Sequence, residues 1–194
     1  FLAVFDEDDD TATLSETLAS LMPEHPSRAI VVRLAPGRED LLEAGVEAQC
    51  WMPFGRRQQI CAEQIVIRCT EKTLGEVPGV ILPLVVADLP VVLWCASRRV
   101  WPSPAFAALA EPAGRVIVDT SRAADSRQAI LAAAAESRPL SDLSWARLTR
   151  WRASLAQMFE DPDRRRRIPR LTGLTIDYAG TAQPPATAFL LAGW

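Results

Sequence analysis

Histidine is almost absent from this sequence, and that scarcity removes a good deal of chemistry. The single histidine, His25, stands before Pro26, where a turn or packing role is expected. No Ser-His-Asp or His-based ligand grouping can be built around it. The four cysteines, Cys50, Cys61, Cys69 and Cys95, lack the close spacing of a zinc site, so no metal is expected. A Gly-rich phosphate loop, an HExxH helix and a nucleophile elbow are all missing as well. The residues therefore specify no catalytic group and no cofactor, and the expectation is a protein that is not an enzyme.

Charge of one sign is not in excess either. The 194 residues carry 21 Lys and Arg against 24 Asp and Glu, for a net charge of -3, so nothing requires nucleic acid or an anionic membrane as partner. With 49% hydrophobic and 23% charged residues, the composition is that of an ordinary globular protein. The length suits a single α/β domain over 1–194. Cysteines without a leader peptide point to reduced thiols and a cytoplasmic location. A start at Phe1 and a stop at Trp194, straight after an apolar helical pattern, read as an excerpt from a longer protein.

One long apolar run is present, Pro78 to Ser97. Its length approaches the roughly 20 residues of a membrane span, but Asp88 sits within it, and Pro78, Pro83 and Pro90 would each remove a helical hydrogen bond that lipid cannot replace. The spacing predicts a core helix opening at Pro78, a stop at Asp88-Leu89-Pro90, and a core strand Val91 to Trp94. Pro83 marks either the start of that helix or a bend in it. A strand buried on both faces belongs to a parallel sheet covered by helices.

Around this run the chain alternates. Thr13 and Glu16 have capping-box spacing for a short helix with Leu14, Leu18 and Leu21, ended by Pro23, and the acidic opening Asp6 to Asp10 is expected in solvent. Ala29 to Val32 reads as a core strand. Val46 to Met52 and Gln59 to Cys69, joined by the loop Pro53 to Gln58, read as an antiparallel hairpin in which Cys50 faces Cys61 and Val46 faces Ile65. Such a cysteine pair permits a redox reading, while two small buried thiols is the favoured one. Glu63 would share their face, with Arg33 or Arg68 as partners if it is buried.

A short helix over Ala105 to Ala110, a strand from Arg115 to Thr120 and an Ala-rich helix from Asp125 to Ser137 follow. Asp119, Thr120 and Ser121 fall at the carboxyl end of that strand, where open α/β sheets bind ligands, although a helix cap is the favoured role. Asp142 to Glu160 predicts an amphipathic helix with Leu148, Trp151, Leu155, Met158 and Phe159 as its buried stripe and Arg147, Arg150, Ser154 and Gln157 opposite. The loop from Arg164 to Arg167 is a solvated run by default. With Arg147, Arg150 and Arg152 it offers an anion-binding surface, centred on Arg164 and Arg165. A strand Leu171 to Tyr178 and a helix Ala186 to Trp194 complete a mixed sheet, mostly parallel with one antiparallel hairpin and helices on both faces.

Five blocks taken together, HPSRAIVV from His25, CAEQIVIR from Cys61, LPLVVADLPVVLW from Leu82, RVIVDTS from Arg115 and DLSWARLTRWRASLAQMFEDP from Asp142, carry a resemblance across roughly Leu21 to Trp194. They resemble the glucose-6-phosphate dehydrogenase assembly protein family, OpcA. The resemblance implies a non-enzymatic partner that binds glucose-6-phosphate dehydrogenase and promotes its assembly or activation in the oxidative pentose phosphate pathway. Family members look longer, with a further C-terminal portion, and no regulatory cysteine motif can be matched to the cysteines here. Trp and Arg dominate interface hot spots, so Trp145, Arg147, Arg150 and Arg152 are the expected partner contacts, with Trp151 packed inward. The alternative is a binding module for a phosphorylated metabolite or nucleotide, built on Asp119 to Ser121 and the arginines.

Overall fold

Seven strands in the order β3-β4-β2-β1-β5-β6-β7 form one sheet, parallel throughout except for the β3-β4 pair. They are β1 (Leu2–Asp6), β2 (Ala29–Leu34), β3 (Leu42–Trp51), β4 (Ile60–Cys69), β5 (Val92–Cys95), β6 (Arg115–Val118) and β7 (Leu140–Asp142). The helices are α1 (Val77–Ile81), α2 (Pro104–Ala110), α3 (Ser126–Ala135), α4 (Leu143–Arg147), α5 (Thr149–Met158), α6 (Pro162–Arg165) and α7 (Ala186–Gly193). This computed structural model describes residues 1–9, 16–18, 20–21, 24–25, 27–37, 39–51, 60–86, 88–180 and 183–194, without the side chains of 49–51 and 60–62. Thr13, Leu14, Pro23, Met52, the loop Pro53 to Gln58 and Gln59 lie outside the described residues.

β1 is central, and all five of its residues are buried. Its alternate residues feed two cores, as period-2 geometry requires. Leu2 and Val4 join Ile30, Val32, Leu93 and Val116 beneath α1, α2 and α3, while Ala3 and Phe5 join Val31, Val66 and Trp94 on the opposite face. There Leu18, from the helical residues 16–18, and Leu143 of α4 provide cover. Helices therefore lie on both faces. The acidic residues at its end hid β1 from the sequence reading.

The hairpin has the expected register, Cys50 opposite Cys61 and Val46 opposite Ile65. It lies at the sheet edge, however, beyond the helical layer, so Val46 is 70% exposed and Glu63 is solvated and needs no buried partner. In the long apolar run Pro78 opens α1, and at Pro83 the helix tightens into a 3-10 turn over Leu82–Leu84. Ile81 and Leu93 are core, but the middle is not: Leu82, Val86 and Leu89 are exposed. Residues of this segment line a cavity of about 300 Å³ with Phe1, Leu2 and Arg28, at the amino end of β1.

Two other expectations are corrected. The helix expected over Asp142 to Glu160 is broken at Leu148 into α4 and α5, because Leu148 turns in to the core while α5 has no buried residue. Trp151 and Met158, expected inside, are 66% and 52% exposed. The strand expected at Leu171 to Tyr178 forms no ladder among the described residues: β7, unseen in the sequence because it is three residues long, takes the edge beside β6.

Leu93 lies fully buried between Leu2 and Val116, so Leu93→Ala should cost about 2–5 kcal/mol in urea unfolding. Val46→Ala, on the open edge, should change stability by less than about 0.5 kcal/mol.

Candidate functional site

From β1 the chain passes to β2 on one side, and it later returns to β5 on the other, so the topological switch point lies between β1 and β5. In open α/β sheets this crevice, at the carboxyl ends of the strands, is where ligands bind. Here it is filled by the protein's own charges. The Asp6 side chain, only 1% exposed, accepts from Ser97 Oγ at 2.6 Å, the Arg98 backbone N–H at 2.8 Å and Arg99 Nε at 3.1 Å. Arg99 Nη2 also donates to Asp8 at 3.0 Å and to the Leu34 carbonyl at 2.8 Å. Asp9 bridges Arg98, at 3.0 Å, and Arg122. The expectation that Asp6 to Asp10 would sit in solvent thus fails for Asp6, which is buried, and for Asp9, which is partly buried, both by pairing; Asp10 lies outside the described residues. Toward β4, Glu7 takes Arg68 in two bonds of 2.5 and 3.1 Å, and these bonds hold its carboxyl below the usual range.

A second cluster lies at the carboxyl end of β6. Asp119 accepts from the Ser121 backbone N–H at 3.2 Å, which makes it the cap of the 3-10 turn Thr120–Arg122. It also accepts from Ser121 Oγ at 2.6 Å, Ser144 Oγ at 2.8 Å, and Arg147 Nη1 and Nη2 at 2.9 and 2.7 Å. Burial alone would raise the Asp119 carboxyl, but the Arg147, Ser121 and Ser144 hydrogen bonds outweigh it and hold it at about 2. Asp142, at the end of β7, caps α4 and takes the Thr120 backbone N–H and Oγ1 at 3.1 and 2.7 Å. The donors that would face an anion are thus turned to Asp119 and Asp142.

The candidate residues fall into separate places. Arg147 joins Asp119 and Ser121, so its guanidinium is held by the sheet end rather than free for a partner. Arg152 stacks over the Trp145 ring at 3.7 Å. Arg150 is exposed and makes no ion pair or hydrogen bond through its side chain among the described residues. Arg164 and Arg165 donate to the carbonyls of Met158, Phe159 and Glu160 at the end of α5, and no bond links them to Asp119, Thr120 or Ser121 among the described residues.

The side chains of Cys50 and Cys61 lie outside the described ones. Cys69 and Cys95 are free and buried, and burial pushes their thiols up to about 11 and about 12. A thiol so raised is a poor nucleophile and a poor metal ligand at neutral pH. Among the described residues no group of three His, Cys, Asp or Glu is placed to hold a metal, and no helix is long and apolar enough to cross a membrane. Sequence reasoning missed Asp6, Asp9, Arg98, Arg99 and Arg122. The available signal was an acidic run straight after the apolar FLAVF, matched by Arg98-Arg99 straight after the strand that ends at Cys95.

The depressed Asp119 carboxyl stabilises the fold fully above its usual value of 3.8, and that contribution is lost as the pH falls toward about 2. Asp119→Asn should therefore flatten the acid limb of unfolding free energy against pH, followed in urea from about pH 5 down to about pH 2. Arg147→Ala, which leaves Asp119 with its serine donors, should cost about 1–2 kcal/mol near neutral pH, since solvent reaches the guanidinium.

Two family models match the chain: the glucose-6-phosphate dehydrogenase subunit N-terminal domain over residues 19–135 and the corresponding C-terminal domain over residues 138–194. The chain is 30% identical over 189 residues to an OxPP cycle protein OpcA of Synechocystis sp., covering 93% of this chain and 38% of that protein. It is 30% identical over 176 residues to the protein of that name from Nostoc punctiforme, covering 88% and 37%. The chain thus spans under two fifths of the length of these curated relatives. With one family model covering more than half of its residues and a second covering 138–194, the chain belongs to the OpcA family of glucose-6-phosphate dehydrogenase assembly proteins.

Proposed function

We propose that this protein is a non-catalytic assembly factor and allosteric activator that binds glucose-6-phosphate dehydrogenase, acting in the cytoplasm in the oxidative pentose phosphate pathway. The observation that carries the reading is the state of the sheet's carboxyl edge. The crevice that serves as ligand site in other open α/β sheets is occupied by Asp6, Arg98, Arg99, Asp9 and Arg122 bonded to one another, which leaves the fold's outer surfaces as its working parts. Membership of the OpcA family supports the dehydrogenase as the partner.

An activator shifts its enzyme only as far as it binds the active state more tightly than the inactive one. The protein therefore acts by favouring one conformation or one assembly of the dehydrogenase. Full-length protein and the dehydrogenase of the same organism should co-purify, and activity measured across glucose 6-phosphate concentration should rise at low substrate. Failure to associate at micromolar concentration would refute the proposal. Heat of binding of glucose 6-phosphate or NADP to the protein alone, by calorimetry, would favour the metabolite-binding alternative.

A further inference from the structure

The helix α5 is amphipathic in sequence and unpartnered in structure. Trp151, Leu155 and Met158 fall at i, i+4 and i+7, one face of a helix. Yet Trp151 is 66% and Met158 52% exposed, Leu155 is only half-buried, and no residue of α5 is buried. A solvated helix face of this composition is unusual, since apolar stripes are ordinarily what hold a helix to its protein.

The surroundings of the stripe are basic. Arg150 flanks its Trp151 end without a side-chain partner among the described residues. At the other end, α6 folds back so that Arg164 and Arg165 reach the last carbonyls of α5, including that of Met158 at 3.5 Å. Cations suit a helix C-terminus, but the hydrogen bonds of Arg165 go to backbone oxygen alone, so no carboxylate cancels its charge among the described residues. Arg164 lies 3.9 Å from Asp161, and Arg166 is paired with Asp163. Between residues 149 and 170 there are seven arginines against three acids, whereas residues 1–137 carry 19 acids against 12 basic residues. In a chain that is acidic overall, the segment that carries this exposed apolar face is thus basic.

We infer that the Trp151-Leu155-Met158 face of α5 is the docking surface for the dehydrogenase subunit, received helix-in-groove by an apolar groove whose rim carries carboxylates. This rests on the assembly reading above, and it moves the contact from Trp145 and Arg147, which are engaged within the protein, to Trp151 and Met158. The occupant follows from charge complementarity: the guanidinium groups of Arg150 and Arg165, without a carboxylate partner among the described residues, stand at the two ends of the apolar stripe, and Trp and Arg are the residue types that anchor interfaces. A second copy docked α5 against α5 would bring like charges together.

The test uses the full protein and purified dehydrogenase. Trp151→Gln with Met158→Gln should weaken the complex at least about tenfold while leaving the unfolding midpoint unchanged, since neither side chain is buried. Arg150→Glu should slow association and flatten its loss with salt, because less attraction is left to screen. A Met158→Cys variant should take up a maleimide readily in the free protein, read as mass gained over the parent protein, and be shielded when the dehydrogenase is added. Binding by the double variant as tight as that of the parent protein would overturn the docking surface and leave the assembly reading standing. Shielding of the new cysteine in the free protein would also overturn it, with sizing chromatography telling a second copy from cover by the protein's own chain. Absence of binding by the parent protein would instead bring down the assembly reading beneath it.

Discussion

A carboxylate buried at the end of the central strand governs the architecture of this protein. Asp6 terminates β1, the strand shared by both cores, with 1% of its surface exposed. A charge so placed is tolerated only when paired and hydrogen-bonded, and removing one partner of such a group typically costs about 3–5 kcal/mol. Its donors come from the segment leaving β5, and Arg99 carries the network to β2 through the Leu34 carbonyl. Arg122 extends it through Asp9 toward β6. The loops at the carboxyl edge are therefore fixed by one another, and the strands beneath them share a single electrostatic seam.

That seam distinguishes this sheet from its ligand-binding counterparts. An open crevice at a switch point presents unpaired donors to solvent, and a ligand satisfies them. Here Asp6, Glu7, Asp8, Asp9 and Asp119 each have an arginine partner within the chain, so these charges are already paired. The exposed apolar stripe lies instead on α5, while α7 packs on α3 and α4 and lies beside residues 174–178.

The sequence made the interior legible and the periphery much less so. Buried strands announce themselves by β-branched runs, and Ala29 to Leu34, Val92 to Cys95 and Arg115 to Val118 emerged within a residue or two of their limits. Cross-strand alternation placed Cys50 opposite Cys61. Two signals misled. Charge at Asp6 to Asp10 was read as solvation, because a buried ion pair cannot be told from a solvated one until its partner, some ninety residues away, is located. The stripe at Trp151 and Met158 was read as core, because periodicity reports that a face is apolar and does not report what covers it. Arg147 was expected at a partner contact, and its bonds to Asp119 were hidden because they depend on β7, whose three residues lie below the length at which a pattern can be recognised.

β7 carries a consequence for how the family is divided. It belongs to the stretch matched by the C-terminal domain, residues 138–194, yet its ladder runs along β6, and Asp142, Ser144 and Arg147 bind the loop that follows β6. The seam between the two family models thus passes between neighbouring strands of one sheet. A fragment cut there would present β6 as a raw edge with Asp119 stripped of its counter-ion. Any piece meant to fold by itself has to run at least through Arg147, and the part beyond it inherits its footing from a scaffold it does not encode.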